Sequence, residues 1–248
     1  MISHLLAGLV GLLLGWPLNL VITRLSQGEA LGTFRRHCQL CRSPWPWPAQ
    51  IPLWGYFRER GRCPFCRGPI PWRYPLVDLS AALLAAALWA RFPANPVLLA
   101  YGPFTAALVV LSALDLEHRW LPDVITLPGT ALGLGLALVL PHLHFPEALL
   151  GALGGAAVFL GLSWLYQKIT RREGLGGGDV KLLALIGAFL GFKALPLVGL
   201  MSAVLVSLAG IIVAWRGGRI RLQELQIPFG PFLALAALFY LFALAGTG

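Results

Sequence analysis

Acidic side chains are scarce in this 248-residue sequence, which contains 10 Asp and Glu against 19 Lys and Arg. Charged residues of both signs make up only 12% of the chain, whereas hydrophobic residues make up 58%. A chain with so little charge cannot hide its apolar side chains inside one water-facing globule. The composition therefore indicates that lipid covers most of the apolar surface.

Long apolar runs recur along the chain between short polar or Pro- and Gly-containing breaks. A helix needs about 20 apolar residues to cross a bilayer core. The pattern predicts an all-α polytopic membrane protein with about eight transmembrane helices, near residues 5–22, 76–92, 97–114, 124–140, 149–165, 180–192, 195–213 and 229–245. The first run lacks a preceding Lys or Arg and a small-residue cleavage site, so we expect a retained helix and not a removable signal peptide.

The basic residues are unevenly distributed between the predicted loops. With eight spans and the amino terminus outside, every Lys and Arg except Arg91 and Lys193 falls in an inner loop or, as Lys181 does, at the inner end of a span. The positive-inside rule then predicts an inner-membrane protein with both termini on the periplasmic face. Reading residues 182–215 as one helix would place Arg216, Arg219 and Arg221 outside, and we reject it. Topology thus explains the net charge of +9, and we expect lipid but no nucleic acid as a partner.

One long polar segment interrupts the apolar pattern. The sequence therefore predicts a first transmembrane helix at 1–24, a cytoplasmic module at 25–74 and a seven-helix membrane domain at 75–248. A segment of about 50 residues seldom builds a sufficient hydrophobic core, so another device is expected to hold the module together. All four cysteines of the chain lie in it.

These cysteines form two Cys-x-x-Cys pairs, Cys38 with Cys41 and Cys63 with Cys66, separated by 21 residues. The spacing is close to that of a zinc ribbon, in which two tight knuckles and an intervening hairpin present four thiolates to one ion. Four sulfurs leave no open position, so the predicted Zn²⁺ is structural. Two disulfides or two separate redox motifs are the alternatives, and a cytoplasmic location disfavours stable disulfides. We expect the adjacent His37 to be a bystander.

Two of the few carboxylates stand at helix ends on one predicted membrane face. Asp115 follows the third run and Asp179 precedes the sixth, so both lie at the cytoplasmic edge. Two neighbouring carboxyl groups that share a proton can activate water and protonate a leaving amine. A favourable helix-dipole contact alone would also explain Asp179, but not Asp115. The same dipole argument predicts that Asp115 holds the shared proton.

A glycine-rich segment, GLGGG, comes directly before Asp179. We expect it to enter the protein interior, with glycines at positive φ that let other chains approach closely. Asp123 begins the fourth run and is interpreted as an acidic helix cap that can also line the site. The residues predicted to bind substrate or shape this loop are Gly176, Gly178, Asp123 and Lys181.

Several segments together carry a family resemblance. They are PLNLVITRL at 17–25, RGRCPFC at 60–66, PWRYPLVDL at 71–79, DLEHRWLPDVITLP at 115–128, GLGGGDVKLLALIGAFLG at 174–191 and PFGPFLA at 228–234. The sequence resembles the bacterial type IV prepilin peptidases, which serve type IV pilus and type II secretion systems. Gly176, Gly178 and Asp179 match the Gly-x-Gly-Asp signature of a class of intramembrane aspartyl proteases.

The resemblance implies that Asp115 and Asp179 are catalytic and cleave the short basic leader of prepilins and pseudopilins after its final glycine. It also implies N-methylation of the new amino terminus with S-adenosylmethionine, an activity associated with the cysteine-containing loop. Two positions near that loop depart from the family pattern, because Gln50 stands where Asn is expected and Asp78 where Glu is expected.

Two other classes of function compete with this interpretation. A proton-coupled transporter with a structural zinc module would also contain membrane carboxylates, but transporter acids tend to lie near the bilayer midplane. Both candidates here lie at one face, which favours a protease that meets its substrate at the interface. A scaffold with a zinc domain leaves GLGGG unexplained.

Overall fold

The computed structural model describes residues 2–29, 36–140, 144–171, 176–216 and 227–244. These ranges are mainly helical, and the only strand-like pairing within them is two isolated bridges. The described α-helices are α1 (Ile2–Gln27), α2 (Trp47–Gln50), α3 (Trp54–Arg58), α4 (Arg73–Arg91), α5 (Leu98–His118), α6 (Asp123–Val139), α7 (Phe145–Thr170), α8 (Gly177–Leu190), α9 (Leu195–Arg216) and α10 (Gly230–Ala243). A 3₁₀ turn, Phe192–Ala194, precedes α9.

Each predicted apolar run coincides with one of these helices. Four described segments are long and apolar enough to cross a membrane, namely Ile2–Gln27, Leu98–His118, Phe145–Ile169 and Phe192–Trp215, while α6 and α10 are shorter apolar helices. Along α1, Leu5, Leu9 and Leu13 are more than half exposed, as expected of a lipid-facing stripe. The all-helical, membrane-spanning class is confirmed, whereas the count of eight spans and their orientation remain predictions.

The chain divides into two compact units, Met1–Leu98 and Leu99–Gly248. In the first unit, α1 packs along α4 through small residues. A Cβ atom added to Gly11 would overlap Ala81 and Ala85, and one added to Gly15 would lie 2.6 Å from Oδ1 of Asp78. Small residues at such spacing let membrane helices approach closely, where dispersion and polar contacts replace the missing hydrophobic effect.

In the second unit, α8 is the most buried helix and carries Asp179 in its first turn. It crosses α7 at Gly187 and Gly151, where a Cβ atom on either glycine would overlap the carbonyl oxygen of the other. From α5, Phe104 stacks on Phe189 of α8 with ring centroids 4.7 Å apart. These contacts leave α8 little freedom, so the position of Asp179 is set by the packing of the whole unit.

The segment between the two Cys-x-x-Cys pairs differs from the sequence expectation. We predicted a hairpin there, but the chain forms the two short helices α2 and α3. They pack tightly, because a Cβ atom on Gly55 would overlap the backbone of Ala49. Pro46, Pro48 and Pro52 lie in this segment and have no backbone N–H to donate, which disfavours a paired hairpin.

Candidate active site

A cavity of about 580 Å³ opens in the second unit between the end of α5, the start of α6 and the start of α8. Every site residue predicted in this unit lines it. The lining residues are Asp115, Arg119, Trp120, Leu121, Pro122, Asp123, Val124, Gly176, Gly177, Gly178, Asp179 and Lys181. The structure therefore brings together residues from two separate stretches of sequence, 115–124 and 176–181.

Asp115 lies in the last turn of α5 and is only 6% exposed. Its Oδ2 atom accepts a hydrogen bond of 2.8 Å from the backbone N–H of Gly230, the first residue of α10. The prediction from helix dipoles considered only α5, whose carboxyl end disfavours a negative charge on Asp115. The structure adds the amino terminus of α10, whose positive dipole end favours that charge. The prediction therefore left out one of the two helix ends that act on Asp115.

Asp179 is the third residue of α8 and is half-buried. Gly176 occupies the cap position before the helix, with an ordinary φ of −64°. The charge of Asp115 acts on Asp179, so the two carboxyl groups are electrostatic neighbours within one cavity. Like charges at such sites favour a state in which the pair holds one proton.

The glycine-rich segment behaves only partly as predicted. Gly178 approaches Leu121 so closely that an added Cβ atom would lie 2.9 Å from the Cβ atom of Leu121. Gly176, Gly177 and Gly178 do not adopt the expected positive φ, because the chain is already entering α8 at these residues. Gly176 and Gly177 are exposed at the cavity and do not enter the interior. The first glycine of the segment, Gly174, lies outside the described residues.

Asp123 and Lys181 form an ion pair at the edge of the cavity. Asp123 is the first residue of α6, but the cap position belongs to Pro122 and no side-chain capping bond is made there. The interpretation of Asp123 as a helix cap is therefore incomplete: its charge sits in the first turn, and its carboxylate binds the ammonium group of α8. Both side chains are well exposed, at 57% for Asp123 and 38% for Lys181.

In the first unit, the four cysteine sulfurs all lie within 4.8 Å of one another. Sγ of Cys38 is 3.7 Å from that of Cys66, and Sγ of Cys41 is 3.9 Å from that of Cys63. Zn–S bonds of about 2.3 Å at tetrahedral angles place two sulfurs about 3.8 Å apart, so the spacing fits a Cys₄ zinc site. His37 faces Gln27 and is not a member of the cluster.

The two Cys-x-x-Cys pairs form matching knuckles. The N–H groups of Cys38 and Cys63 donate to the carbonyls of Ser43 and Gly68, and those of Arg42 and Arg67 donate back to the two cysteines. Arg42 and Arg67 both have positive φ, of 55° and 59°. Hydrogen bonds from the side chain and backbone of Ser43 lower the pKa of the Cys41 thiol to about 6, whereas burial and the other three thiols raise the pKa of Cys66 to about 11. One thiolate is thus favoured at Cys41, and a metal ion would supply the charge that stabilises the others.

Among the residues around the carboxylates that sequence reasoning did not predict, Gly230 and Leu121 make close contacts. Gly230 belongs to PFGPFLA, a segment noted only for its resemblance, and nothing in its local pattern indicated a contact with Asp115. Leu121 belongs to DLEHRWLPDVITLP, another segment noted for its resemblance, although its side chain is what makes a glycine necessary at position 178. Both contacts join segments that are distant in sequence, so local periodicity contains no signal for them.

Comparison with known proteins gives a consistent result over most of the chain. The bacterial Peptidase A24 N-terminal domain matches residues 9–92, and the type IV leader peptidase family matches residues 102–213. The prepilin leader peptidase/N-methyltransferase of Pseudomonas aeruginosa is 36% identical, and the alignment covers 92% of this chain and 86% of that protein. The chain belongs to the type IV leader peptidase family.

Two other relatives with the same name show how much of the family's length is present. The Aeromonas hydrophila protein is 39% identical over 82% of this chain and 69% of its own length. The Burkholderia pseudomallei (strain 1026b) protein is 41% identical over 80% of this chain, but the match spans only 62% of the relative. No solved structure matches the chain.

Proposed function

We propose that this protein is a prepilin leader peptidase that removes the short basic leader of type IV pilin-like and type II secretion pseudopilin precursors. The proposal rests on one observation: Asp115 and Asp179 line the same cavity of the second unit, where their carboxyl groups interact electrostatically. Family membership supports it, because the relatives are named prepilin leader peptidase/N-methyltransferase.

The proposed chemistry needs no metal at the carboxylates and no covalent intermediate. The ionised member of the pair takes a proton from a water molecule, which attacks the carbonyl of the scissile peptide bond, and the protonated member donates its proton to the leaving amine. The exposed backbone of Gly176 and Gly177, which has no side chains, leaves room for an extended substrate beside the carboxylates.

Mass spectrometry of one prepilin co-expressed with this protein tests the proposal. We expect the prepilin to lose the mass of its leader, and this loss to disappear with Asp179→Asn. A prepilin that keeps its leader in the presence of folded, membrane-inserted wild type would contradict the peptidase assignment. It would reopen the transporter and scaffold interpretations.

We also propose that the protein methylates the amino terminus it exposes, with S-adenosylmethionine as the methyl donor. The two residues that depart from the family pattern, Gln50 and Asp78, are both buried and hydrogen-bonded. Gln50 donates to the carbonyl of Trp45 at 2.7 Å, and Asp78 accepts from Asn19 at 2.8 Å and from the backbone N–H of Leu53 at 3.0 Å. In the same spectrum, a mature pilin that carries one added methyl group supports this activity, and an unmodified one contradicts it.

The cysteine cluster is proposed to bind one structural Zn²⁺ that folds the module between α1 and α4.

The described helices and the distribution of basic residues support an inner-membrane location with the cavity on the cytoplasmic side and both termini in the periplasm. Reporter fusions at Gln27, His142 and Gly248, the last two of which lie outside the described residues, should read inside, outside and outside. A cytoplasmic signal at Gly248 would contradict the eight-span topology.

A further inference from the structure

The start of α10 makes a close and specific contact with one of the two carboxylates. Gly230 is the first residue of α10, and its N–H donates to Oδ2 of Asp115 at 2.8 Å in a buried position. The first amides of a helix have no partner within the helix, and they carry the positive end of its dipole. Asp115 therefore accepts a hydrogen bond from the first N–H of a helix, a backbone group that favours a negative charge on its acceptor.

The geometry of α10 directs this single amide at Asp115. The next residue, Pro231, has no N–H. The amides of Phe232 and Leu233 are already bonded to the carbonyl of Phe229. Among these first residues of the helix, Gly230 therefore supplies the donor that reaches the carboxylate.

A glycine is required at this position because of space. A Cβ atom on residue 230 would lie 2.8 Å from Oδ2 of Asp115 and 3.2 Å from its Cγ atom. Both distances are shorter than ordinary van der Waals contacts, so any side chain would push the carboxylate away from the amide. The contact depends on the absence of a side chain as much as on the N–H group.

Burial disfavours a charge on Asp115 more than any other influence, and the hydrogen bond from Gly230 is the strongest of those that favour it. The neighbouring charged groups act in both directions. Arg119, one turn further along the chain, attracts the Asp115 carboxylate, while Asp179 repels it. Asp123 and Lys181 line the same cavity but neutralise each other as an ion pair. The backbone of Gly176 favours the anion at Asp179, whereas burial and the charge of Asp115 oppose it.

We propose that Gly230 is a positioning residue whose backbone N–H holds Asp115 as the ionised member of the pair, so that Asp179 carries the shared proton. This inference rests on the proposed peptidase function. Asp115 then activates the water and Asp179 protonates the leaving amine, which is the reverse of the assignment that the helix dipoles of α5 and α8 alone predict. Gly230 is not among the residues that line the cavity, so it acts through Asp115.

The test is the pH dependence of leader cleavage by the purified full-length protein, measured for wild type, Gly230→Ala and the matched control Gly102→Ala. An added Cβ atom at Gly102 meets nothing within 4 Å, although it lies on the same helix as Asp115. We expect Gly230→Ala to lower kcat about tenfold with little change in KM, and to move the acid-side half-activity point to higher pH. Gly102→Ala should keep the wild-type profile.

A second variant removes the N–H of Gly230, although it also makes the Phe229 carbonyl a weaker acceptor for Phe232 and Leu233, and it covers the case in which Gly230→Ala does not fold. Replacing the peptide bond between Phe229 and Gly230 by an ester removes the N–H and adds no side chain, and it should shift the acid limb in the same direction. If the ester variant, or a folded Gly230→Ala, cleaves with the wild-type profile or loses rate equally at every pH, the inference is wrong. In that case the peptidase function still stands, provided that wild type cleaves and Asp179→Asn does not; a wild type that fails to cleave overturns both.

Discussion

The thiol cluster of the first unit and the carboxylate cavity of the second are assembled in opposite ways. Each pair of sulfurs comes from one short knuckle, and the two knuckles repeat the same backbone hydrogen bonds and the same positive φ. The carboxylates come from the end of one long helix and the start of another, and they are positioned by helix packing. A local device sets the first geometry, whereas the fold of a whole unit sets the second.

This difference in assembly indicates which of the two sites tolerates small structural changes elsewhere in its unit. A tetrahedral ion enforces its own distances on four thiolates, so a metal site corrects small errors in its surroundings. A carboxylate pair has no such template, and displacements near 1 Å at a catalytic group can cost about a hundredfold in rate. We therefore expect the cavity to be far more sensitive than the module to small packing changes.

The largest expected effect is the loss of leader cleavage in Asp115→Asn and in Asp179→Asn. An amide keeps the shape of the carboxylate but cannot exchange the proton, so each change should lower the rate by at least about a hundredfold. The double variant should be no worse than either single one, because the groups act as a unit. Cleavage assays on inserted protein measure this, with Glu117→Gln as a neighbouring acidic control outside the cavity lining. A folded single variant that retains near wild-type rate would show that the dyad is wrong.

The module should respond differently to the loss of one ligand. Metal analysis of purified wild type should give about one zinc per chain, and Cys63→Ser should lose most of it, since three thiolates no longer close the tetrahedron. The module should then become sensitive to protease while the helices of the membrane domain remain folded, because the metal supplies the folding energy of a small arginine-rich segment. Wild type that is metal-free after purification without chelator would contradict this prediction.

The contrast between the two regions also explains what the sequence could predict. The spacing of Cys38, Cys41, Cys63 and Cys66 was sufficient to predict the cluster, because each knuckle is a local structure. The eight apolar runs correctly located helices, because hydrophobic runs of this length have few other solutions in lipid. The prediction of a hairpin between the knuckles was wrong, because the prolines in that segment have no backbone N–H to donate and therefore disfavour strand pairing.

For the carboxylate site, the sequence identified the residues but not their environment. Asp115 and Asp179 stood out because carboxylates are costly at a membrane boundary, and the cavity does contain both. The amide of Gly230 is 115 residues from Asp115 in sequence, and only the packing of α10 reveals it. Because the sequence does not show such distant contacts, we expected the glycines of GLGGG to serve positive φ angles. The structure shows that Gly178 is instead constrained by its close contact with Leu121.

A smaller effect is expected from adding one methyl group to the glycine segment. In Gly178→Ala the new Cβ atom lies 2.9 Å from that of Leu121, so either the start of α8, with Asp179, or the segment of Leu121 that lines the same cavity must shift. We expect about a tenfold loss of cleavage, which corresponds to about 1.4 kcal/mol. Gly177→Ala is the comparison, because its Cβ atom meets nothing within 4 Å. Equal losses in the two variants would mean that substrate access, and not packing, requires glycine here.

The smallest expected effect concerns the ion pair of Asp123 and Lys181 at the cavity edge. Both side chains are more than a third exposed, so water and salt screen their attraction. A double-mutant cycle with Asp123→Ala and Lys181→Ala should therefore give a coupling of at most about 1 kcal/mol in thermal stability, and this coupling should fall as salt is added. Cleavage should stay within a few-fold of wild type, because neither group is needed for proton transfer between the carboxylates. A roughly tenfold rise in KM for Asp123→Ala, with kcat unchanged, would instead indicate that this carboxylate contacts the basic leader, since loss of uniform binding raises KM alone.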